Sequence, residues 1–376
     1  MIRVLHVLTD SNIGGAGRLL VNYLHNFDRE KFEIAVALPR DSALIPCVEA
    51  EGWPVLPMEH GRDKSFEWAA IGELKTIIRD WKPDIVHTHS ALSAKTAAWL
   101  CRVPVRFYTR HCAFDPPKKL TTFPGKQLNG LVNNTLATDI VAVAEAAKQN
   151  LTDTGVDDKK IAVIINGVEP MRETRAEERA SLRASLGIGE NTFVCGISAR
   201  LESYKGHAYL LDTVKTVVEA EPDTVFLFVG GGSEEAALKE KAERLGITES
   251  VRFIGFVDDV APYLNLFDLN LNCSYGTETS SLALSEGMSL SIPAVATTYG
   301  GNPYMVENGV NGLLVPVKDS DAMAAAILSL IRDRAKLAEL AEGALRRYRE
   351  RFTADAMTRQ LEVLYEAAVA REKRGR

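Results

Sequence analysis

Cysteine is scarce, with five residues in 376: Cys47, Cys101, Cys112, Cys195 and Cys273. The number is odd, the spacing is wide and no C-x-x-C pair occurs, which argues against a disulfide frame or a zinc site and for a reducing compartment. The sequon-like Asn133, Asn150 and Asn272 therefore carry no weight. No apolar stretch reaches the roughly 18 residues that span a bilayer. The opening run 1–8 is short and strand-like, without the length or small-residue cleavage site of a signal peptide. Low-complexity tracts and internal repeats are also missing. These absences lead to an expected cytoplasmic location, either free or peripheral on the inner face of the membrane.

Excess positive charge is lacking too. The net charge is −6, and the acidic surplus falls in 171–376, with 24 basic against 30 acidic side chains, while 1–170 is balanced. Such a balance makes nucleic acid an unexpected partner. One local exception stands out at 102–126. There Arg102, Arg106, Arg110, Lys118, Lys119 and Lys126 interleave with Phe107, Tyr108, Phe114 and Phe123 beside a single acid, Asp115. This stretch reads either as a solvated basic loop or as a patch for anionic lipid headgroups or a phosphate-bearing acceptor.

What is present is a soluble composition, 46% apolar and 25% charged, in a chain long enough for two ordinary domains. Short apolar runs alternate with amphipathic stretches, as in βαβ units around a parallel sheet. Strands are expected at 2–8, 33–38, 84–89, 103–108, 139–143 and 161–165, with helices at 17–26, 68–80 and 145–154. A charged, helix-prone segment at 173–186 interrupts the pattern. The alternation restarts with strands at 193–198, 224–229, 251–254, 268–272, 294–297 and 312–315. Helices are expected at 207–220 and 233–245, one or two over 321–348, and a last one at about 354–371. Two doubly wound units are therefore expected, meeting near 167–190. Ligands of such sheets sit at the carboxyl ends of the strands, and two facing units would share a cleft.

The chemistry-bearing residues cluster at those ends. Gly14-Gly15-Ala16-Gly17 follows the first strand and opens a helix, where glycine admits close backbone approach and free N–H groups attract phosphate. It fails as a dinucleotide fingerprint, because Leu20 stands where glycine or alanine is needed and no acid closes the second strand. An oxidoreductase using NAD is thereby disfavoured. Arg200, followed by Lys205-Gly206, places two cations after a strand and before a helix, which suits a leaving diphosphate. In Glu278-Thr279-Ser280-Ser281-Leu282-Ala283-Leu284-Ser285-Glu286, a helix is expected to start at Ser280 or Ser281, with its first N–H groups on phosphate. A rise of roughly 12 Å over eight helical residues would let one carboxylate meet the donor sugar and the other the ribose. Gly300-Gly301-Asn302 follows a further strand and again allows amides to approach a ligand. Phe256 and Val257 end a strand where a nucleobase could rest. His111 follows a strand, where it is either structural or poised near a reacting group. His87 and His89 read as core or cleft wall.

Arg200 with Lys205-Gly206, Glu278-x7-Glu286, the run 291–297, Gly300-Gly301-Asn302-Pro303, Gly14-Gly15 and Asn166-Gly167-Val168 together resemble glycosyltransferase family 4 over nearly the whole chain. The resemblance implies an α/β GT-B fold of two facing Rossmann-like domains with an interdomain cleft, the final helix crossing back to the first. It implies an acceptor-side domain of residues 1–170 plus 354–376 and a donor-binding domain of 171–353. It also implies retention of anomeric configuration with no cofactor or essential metal. In that family's terms Arg200 and Lys205 hold the diphosphate, Glu286 the ribose and Glu278 the donor sugar, with His111 near the reacting sugar. Gly14, Gly15, Ser281, Leu282, Gly300, Gly301 and Asn302 close around donor and leaving group.

Four positions depart from the family pattern: Gly17 for glutamate, Gly287 for alanine, Ser291 for glycine and Tyr304 for an acid. They are expected to shape the sugar pocket. The expected partners are a nucleotide-sugar, with UDP the leading base, and a glycan or lipid-linked acceptor. The rival readings are a GT-B-fold epimerase or sugar-phosphate synthase, and a non-catalytic nucleotide-sugar-binding subunit.

Overall fold

The computed structural model describes residues 1–113 and 116–374, so Phe114 and Asp115 of the basic aromatic stretch lie outside the described residues. The chain divides into two compact units, Met1–Val168 with Ala354–Arg376, and Glu169–Thr353. Each unit is a Rossmann-like parallel sheet wrapped by helices.

The first unit holds β1 (Ile2–Val7), β2 (Phe32–Pro39), β3 (Val55–Met58), β4 (Ile85–His89), β5 (Val105–Arg110), β6 (Asp139–Ala142) and β7 (Ile161–Val163). They lie in the order β3-β2-β1-β4-β5-β6-β7, and every pair is parallel. The strand run 34–38 is apolar on both faces, and β1 is apolar over 4–7 except at His6, because helices cover both sides of the sheet. The helix Ala354–Arg374 belongs to this unit. It buries Met357, Leu361, Tyr365 and Ala368, the stripe expected of helical periodicity. Tyr365 stacks on Phe27 at 6.1 Å between centroids and meets Phe107 edge-on at 4.9 Å.

The second unit holds β8 (Phe193–Ser198), β9 (Thr224–Val229), β10 (Val251–Gly255), β11 (Leu269–Asn272), β12 (Ala294–Thr297) and β13 (Gly312–Val315), in the order β10-β9-β8-β11-β12-β13. All pairs are again parallel. In both sheets the order reverses, between β1 and β4 and between β8 and β11. These are the switch points where crossovers leave toward opposite faces.

Several elements escape the sequence pattern. β3 carries Pro57, which a central strand rejects but an edge strand tolerates. The helices Leu92–Leu100 and Gly125–Leu136 lie where no helix was expected. The second is rich in asparagine, a weak helix former, and tertiary bonds offset that weakness. The Asn129 and Asn134 amides donate to the carbonyls of Thr154 (2.7 Å) and Gly155 (3.2 Å). A Cβ on Gly130 would fall 2.2 Å from the Gly155 oxygen, so only glycine permits this approach. The segment 321–348 is two helices, Ser320–Arg332 and Arg334–Arg351, separated at Asp333, which caps the second.

The stretch 102–126 is not simply a solvated loop. Arg106 lies in β5 and donates to the carbonyls of Val103 (2.7 Å) and Leu136 (2.9 Å). Arg110 donates to the carbonyl of Cys112 and to Asn150. Two of its six cations therefore serve the fold, while Lys118 and Lys119 remain exposed in a short helix. Among the described residues no helix is long and apolar enough to cross a membrane.

Ser291, which stands where the resembled family keeps glycine, follows the helix Leu282–Ser289 with φ 61°, the left-handed region that penalises a Cβ. Ser291→Gly is expected to stabilise the chain by about 1 kcal/mol in urea denaturation; an unchanged or lower midpoint would contradict a strained serine.

Candidate active site

At the switch point of the second unit, the strand ends of β8 and β11 release the two loops that carry most of the sequence-selected residues. After β8 the chain passes Arg200 and turns through Ser203–Lys205, and Gly206 then opens the helix His207–Ala220. Gly206 has φ 79°, and a Cβ there would lie 2.0 Å from the Cys273 oxygen. This close contact brings the Lys205 loop against the end of β11.

The consequence is an ion pair. Lys205 Nζ lies 2.8 Å from Glu278 Oε2, with side-chain exposures of 17% and 7%. The Ser274 hydroxyl donates to the same oxygen at 2.7 Å and the Asn272 amide at 3.3 Å. Three donors on one oxygen offset the desolvation of a buried carboxylate, which is otherwise costly. Asn272 also donates to the Ser281 hydroxyl, and the Asn302 amide donates to Asn272 Oδ1 and Thr297 Oγ1, each at 3.3 Å. The Thr297 hydroxyl closes the group on the Ser274 carbonyl at 2.5 Å. Lys205, Glu278, Ser281 and Asn302, selected from sequence at three separate places, thus form one polar network. Asn272, Ser274 and Thr297 complete it and were missed. Their signal was available, because polar residues at the carboxyl end of an apolar parallel strand mark a ligand edge.

The glycine pair Gly300-Gly301 has a structural use. A Cβ on either would lie 2.0 Å or less from the carbonyl oxygens of Glu278 and Thr279. These glycines let their segment lie directly on the carboxylate loop, a use beside the amide cradle expected from sequence. Gly14 and Gly15 differ: a Cβ there meets nothing within 4 Å, so packing does not require glycine at either place.

Ser281 caps the helix Leu282–Ser289, accepting from the Leu284 N–H at 3.4 Å. Only 282–286 of the Glu278–Glu286 interval is helical, so the rise between the carboxylates is not the full eight-residue value expected from sequence. Glu286 is 8% exposed on that helix. Arg200 is exposed and donates to the Tyr204 hydroxyl at 2.7 Å. Phe256 is 74% exposed just beyond β10, beside the half-buried Val257.

The departures from the family pattern find packing reasons. A Cβ on Gly287 would come 2.5 Å from the Asn270 amide nitrogen, which donates to the Ala283 carbonyl. Tyr304 does not line the network: its ring packs edge-on against Phe352, with Arg351 over it. At Gly17 a Cβ would meet Leu44 at 2.8 Å.

In the first unit, His111 follows β5 half-buried, and its Nε2 lies 2.9 Å from His89 Nδ1. His89 in turn contacts His6, and His87 lies stacked beside it. Burial pushes His6 down to about 3. Burial and the Arg110 cation push His111 down to about 4. Burial, reinforced by the neighbouring rings, lowers His87 and His89 well below the usual value.

These histidines make stability sensitive to acid. An unfolded histidine titrates near 6.5, so below that pH the unfolded chain takes up protons that the folded chain refuses. Stability is full above about pH 6.5 and falls toward pH 4, by about 1.4 kcal/mol per pH unit for each such histidine. Thermal melts from pH 7.5 to 5.5, above the carboxylate range, are expected to show this decline; a flat melting temperature there would contradict neutral buried histidines.

Known proteins share this architecture. The family model for Glycosyltransferase Family 4 matches residues 13–172, and that for Glycosyl transferases group 1 matches 192–333. The UDP-Gal:alpha-D-GlcNAc-diphosphoundecaprenol alpha-1,3-galactosyltransferase of Escherichia coli is 25% identical over 346 residues, 89% of each chain. N-acetyl-alpha-D-glucosaminyl L-malate synthase of Bacillus anthracis is 24% identical over 83% of this chain and 82% of its own. The solved structure of Anabaena HepE with UDP-glucose superposes with a TM-score of 0.84 at 23% identity, covering 98% of this chain and all of that one. Sucrose-phosphate synthase of Thermosynechococcus elongatus gives 0.78 at 16%, with the same coverage. The chain belongs to glycosyltransferase family 4 and is a glycosyltransferase of the GT-B fold.

Proposed function

We propose that the chain transfers a hexose-type sugar from a nucleoside diphosphate, UDP first among them, to a hydroxyl of a lipid-linked or cell-surface glycan intermediate, with retention at the anomeric carbon. The observation that carries this reading is the buried Lys205–Glu278 pair at the β8–β11 switch point. A cation held at a ligand edge by a carboxylate can turn to a diphosphate as that group gains charge in the transition state. Arg200, exposed nearby in sequence, is assigned to the same diphosphate, and Glu286 to the ribose hydroxyls. Ser281 and Leu282 open the helix whose N-terminus favours phosphate. The three donors on Glu278 all meet Oε2, so Oε1 is assigned to a hydroxyl of the transferred sugar. The open space at Gly14 and Gly15 suits close backbone approach by the donor. Phe256 and Val257 are assigned to the base, and His111 to the transferred sugar.

In the proposed front-face displacement, the bond from the anomeric carbon to the β-phosphate oxygen breaks. The acceptor oxygen bonds to that carbon on the same face, and its proton passes to the departing phosphate. No side-chain base is needed, and no metal or cofactor is proposed. The galactosyltransferase relative acts, by its name, with UDP-Gal on a diphosphoundecaprenol-linked sugar, and HepE was solved with UDP-glucose, which supports the donor class.

A thermal-shift screen against UDP-, GDP- and ADP-sugars is expected to single out a UDP-sugar. Glu286→Ala should weaken UDP binding roughly 10- to 100-fold, the loss of one or two charge-assisted hydrogen bonds. Glu278→Gln should leave the Kd for UDP within a few-fold while lowering kcat about 100-fold. Unchanged UDP affinity in the first variant would sink the ribose assignment, and an inverted product anomer by NMR would sink retention.

A surface of the first unit supports the lipid-linked acceptor. Leu128, Leu131 and Val132 lie on one side of the helix Gly125–Leu136, 59%, 65% and 44% exposed, and Phe123 is 81% exposed near Lys118 and Lys119. Apolar side chains beside cations suit an anionic bilayer surface. Pelleting with phosphatidylglycerol vesicles is expected to fall with salt and to be lost in Phe123→Ser/Leu131→Ser; salt-independent or absent pelleting would refute peripheral contact.

A further inference from the structure

Four imidazoles, a phenol and a hydroxyl of the first unit form one continuous hydrogen-bonded series. Thr109 Oγ1 lies 2.6 Å from His87 Nε2, and His87 Nδ1 meets the Tyr365 hydroxyl. That hydroxyl lies 3.4 Å from His6 Nε2. His6 Nδ1 lies 3.1 Å from His89 Nε2, and His89 Nδ1 lies 2.9 Å from His111 Nε2. The series runs through β1, β4, β5 and the helix Ala354–Arg374, and its far end is the residue assigned to the transferred sugar.

Its members could instead suggest a metal cage, since one nitrogen each of His6, His87 and His89 lie within 4.8 Å of one another. The ring planes argue otherwise. His87 and His89 lie nearly parallel, at 14°, so their in-plane lone pairs run side by side, while the facing nitrogens of His6 and His89 point at each other and not at a common third point. Both nitrogens of each of these three rings are also engaged within the series.

A neutral imidazole has one N–H and one bare nitrogen, so a ring that uses both must accept on one side and donate on the other. Burial keeps these rings neutral. The whole series therefore has two arrangements, all protons pointing one way or all the other. Thr109 decides between them. It is fully buried, and among the described residues its hydroxyl is hydrogen-bonded only with His87. If it accepted from His87, its own proton would be left without an acceptor, a costly state in a dry interior. Donation from Thr109 to His87 Nε2 removes that cost. His87 Nδ1–H then donates to Tyr365, Tyr365 to His6 Nε2, His6 Nδ1–H to His89 Nε2, and His89 Nδ1–H to His111 Nε2.

We propose that Thr109, His87, Tyr365, His6 and His89 are positioning residues that lock His111 into the tautomer protonated at Nδ1. His111 then presents a permanent N–H donor, suited to a sugar hydroxyl, and its Nε2 is withheld from proton transfer. The sugar-contact part rests on the glycosyltransferase reading of His111 given above; the tautomer does not.

The test is long-range 1H–15N correlation on the full chain labelled with 15N-histidine at pH 7.5, the His111 ring being identified by the signal lost in His111→Gln. The expected spectrum has a protonated Nδ1 and a bare Nε2 at His111. Thr109→Val removes the terminal donor and Tyr365→Phe cuts the series in the middle, so each is expected to give a mixture of tautomers at His111, while Thr109→Ser restores the single form. UDP release is followed with whichever of UDP-glucose, UDP-galactose or their N-acetyl forms gives the largest melting shift. In Thr109→Val kcat should fall about tenfold with the Kd for UDP unchanged. A wild-type His111 protonated at Nε2, or a tautomer unmoved in both variants, overturns the lock. A tautomer that moves without any change in kcat leaves the lock standing and overturns the sugar contact of His111. Stoichiometric zinc uptake that displaces the ring signals would overturn the series in favour of a metal site.

Discussion

Every strand pairing in both sheets is parallel, and that constraint governs everything else in the molecule. A parallel strand cannot be fed by a tight hairpin, so each is reached through a crossover, and all the departing loops gather at the carboxyl edge. Where the crossovers change face, between β1 and β4 and between β8 and β11, those loops separate. Functional side chains can then stand at a strand end without breaking the apolar layers beneath.

The two units use that edge differently. The second concentrates charge: Lys205 and Glu278 meet in a nearly dry environment, and Asn272 and Ser274 supply the hydrogen bonds that make such a pair tolerable. The first concentrates neutral polarity: His6, His87, His89 and Tyr365 satisfy one another in the core without any net charge. A fully buried ring with both nitrogens bonded is rigid, and rigidity is what a residue presented to a substrate needs from its support. The last helix matters to this unit beyond packing, because Tyr365 links two strands' histidines that would otherwise lack a common partner.

The family was legible because its residues depend on local geometry. Glu278-x7-Glu286, Lys205-Gly206 and the Ser281 cap each need only a strand end or a helix start nearby. Gly206 and Gly300-Gly301 were visible as glycines, but their purpose was not. Gly206 lets a loop lie on Cys273, and Gly300-Gly301 let a chain lie on Glu278 and Thr279, residues over 60 and about 20 positions away. Gly287 and Tyr304, expected from sequence to shape the sugar pocket, lie against Asn270 and Phe352, contacts that no spacing announced. The helix Gly125–Leu136 was hidden because asparagine argues against a helix until its amides find the carbonyls of Thr154 and Gly155.

By itself the sequence determined the periodicities of two α/β units, the positions of their strand-end loops and the family to which those loops belong. Each is set by interactions within a few residues: apolar alternation, capping and turn preference. Only the tertiary structure decided which polar groups share a proton or an ion pair. Lys205 with Glu278, and Thr109 with His87, Tyr365 and His6, are brought together from distant segments by strand order and register. Hydrogen bonds act over about 3 Å, and no spacing in a sequence reports which distant side chains will come that close.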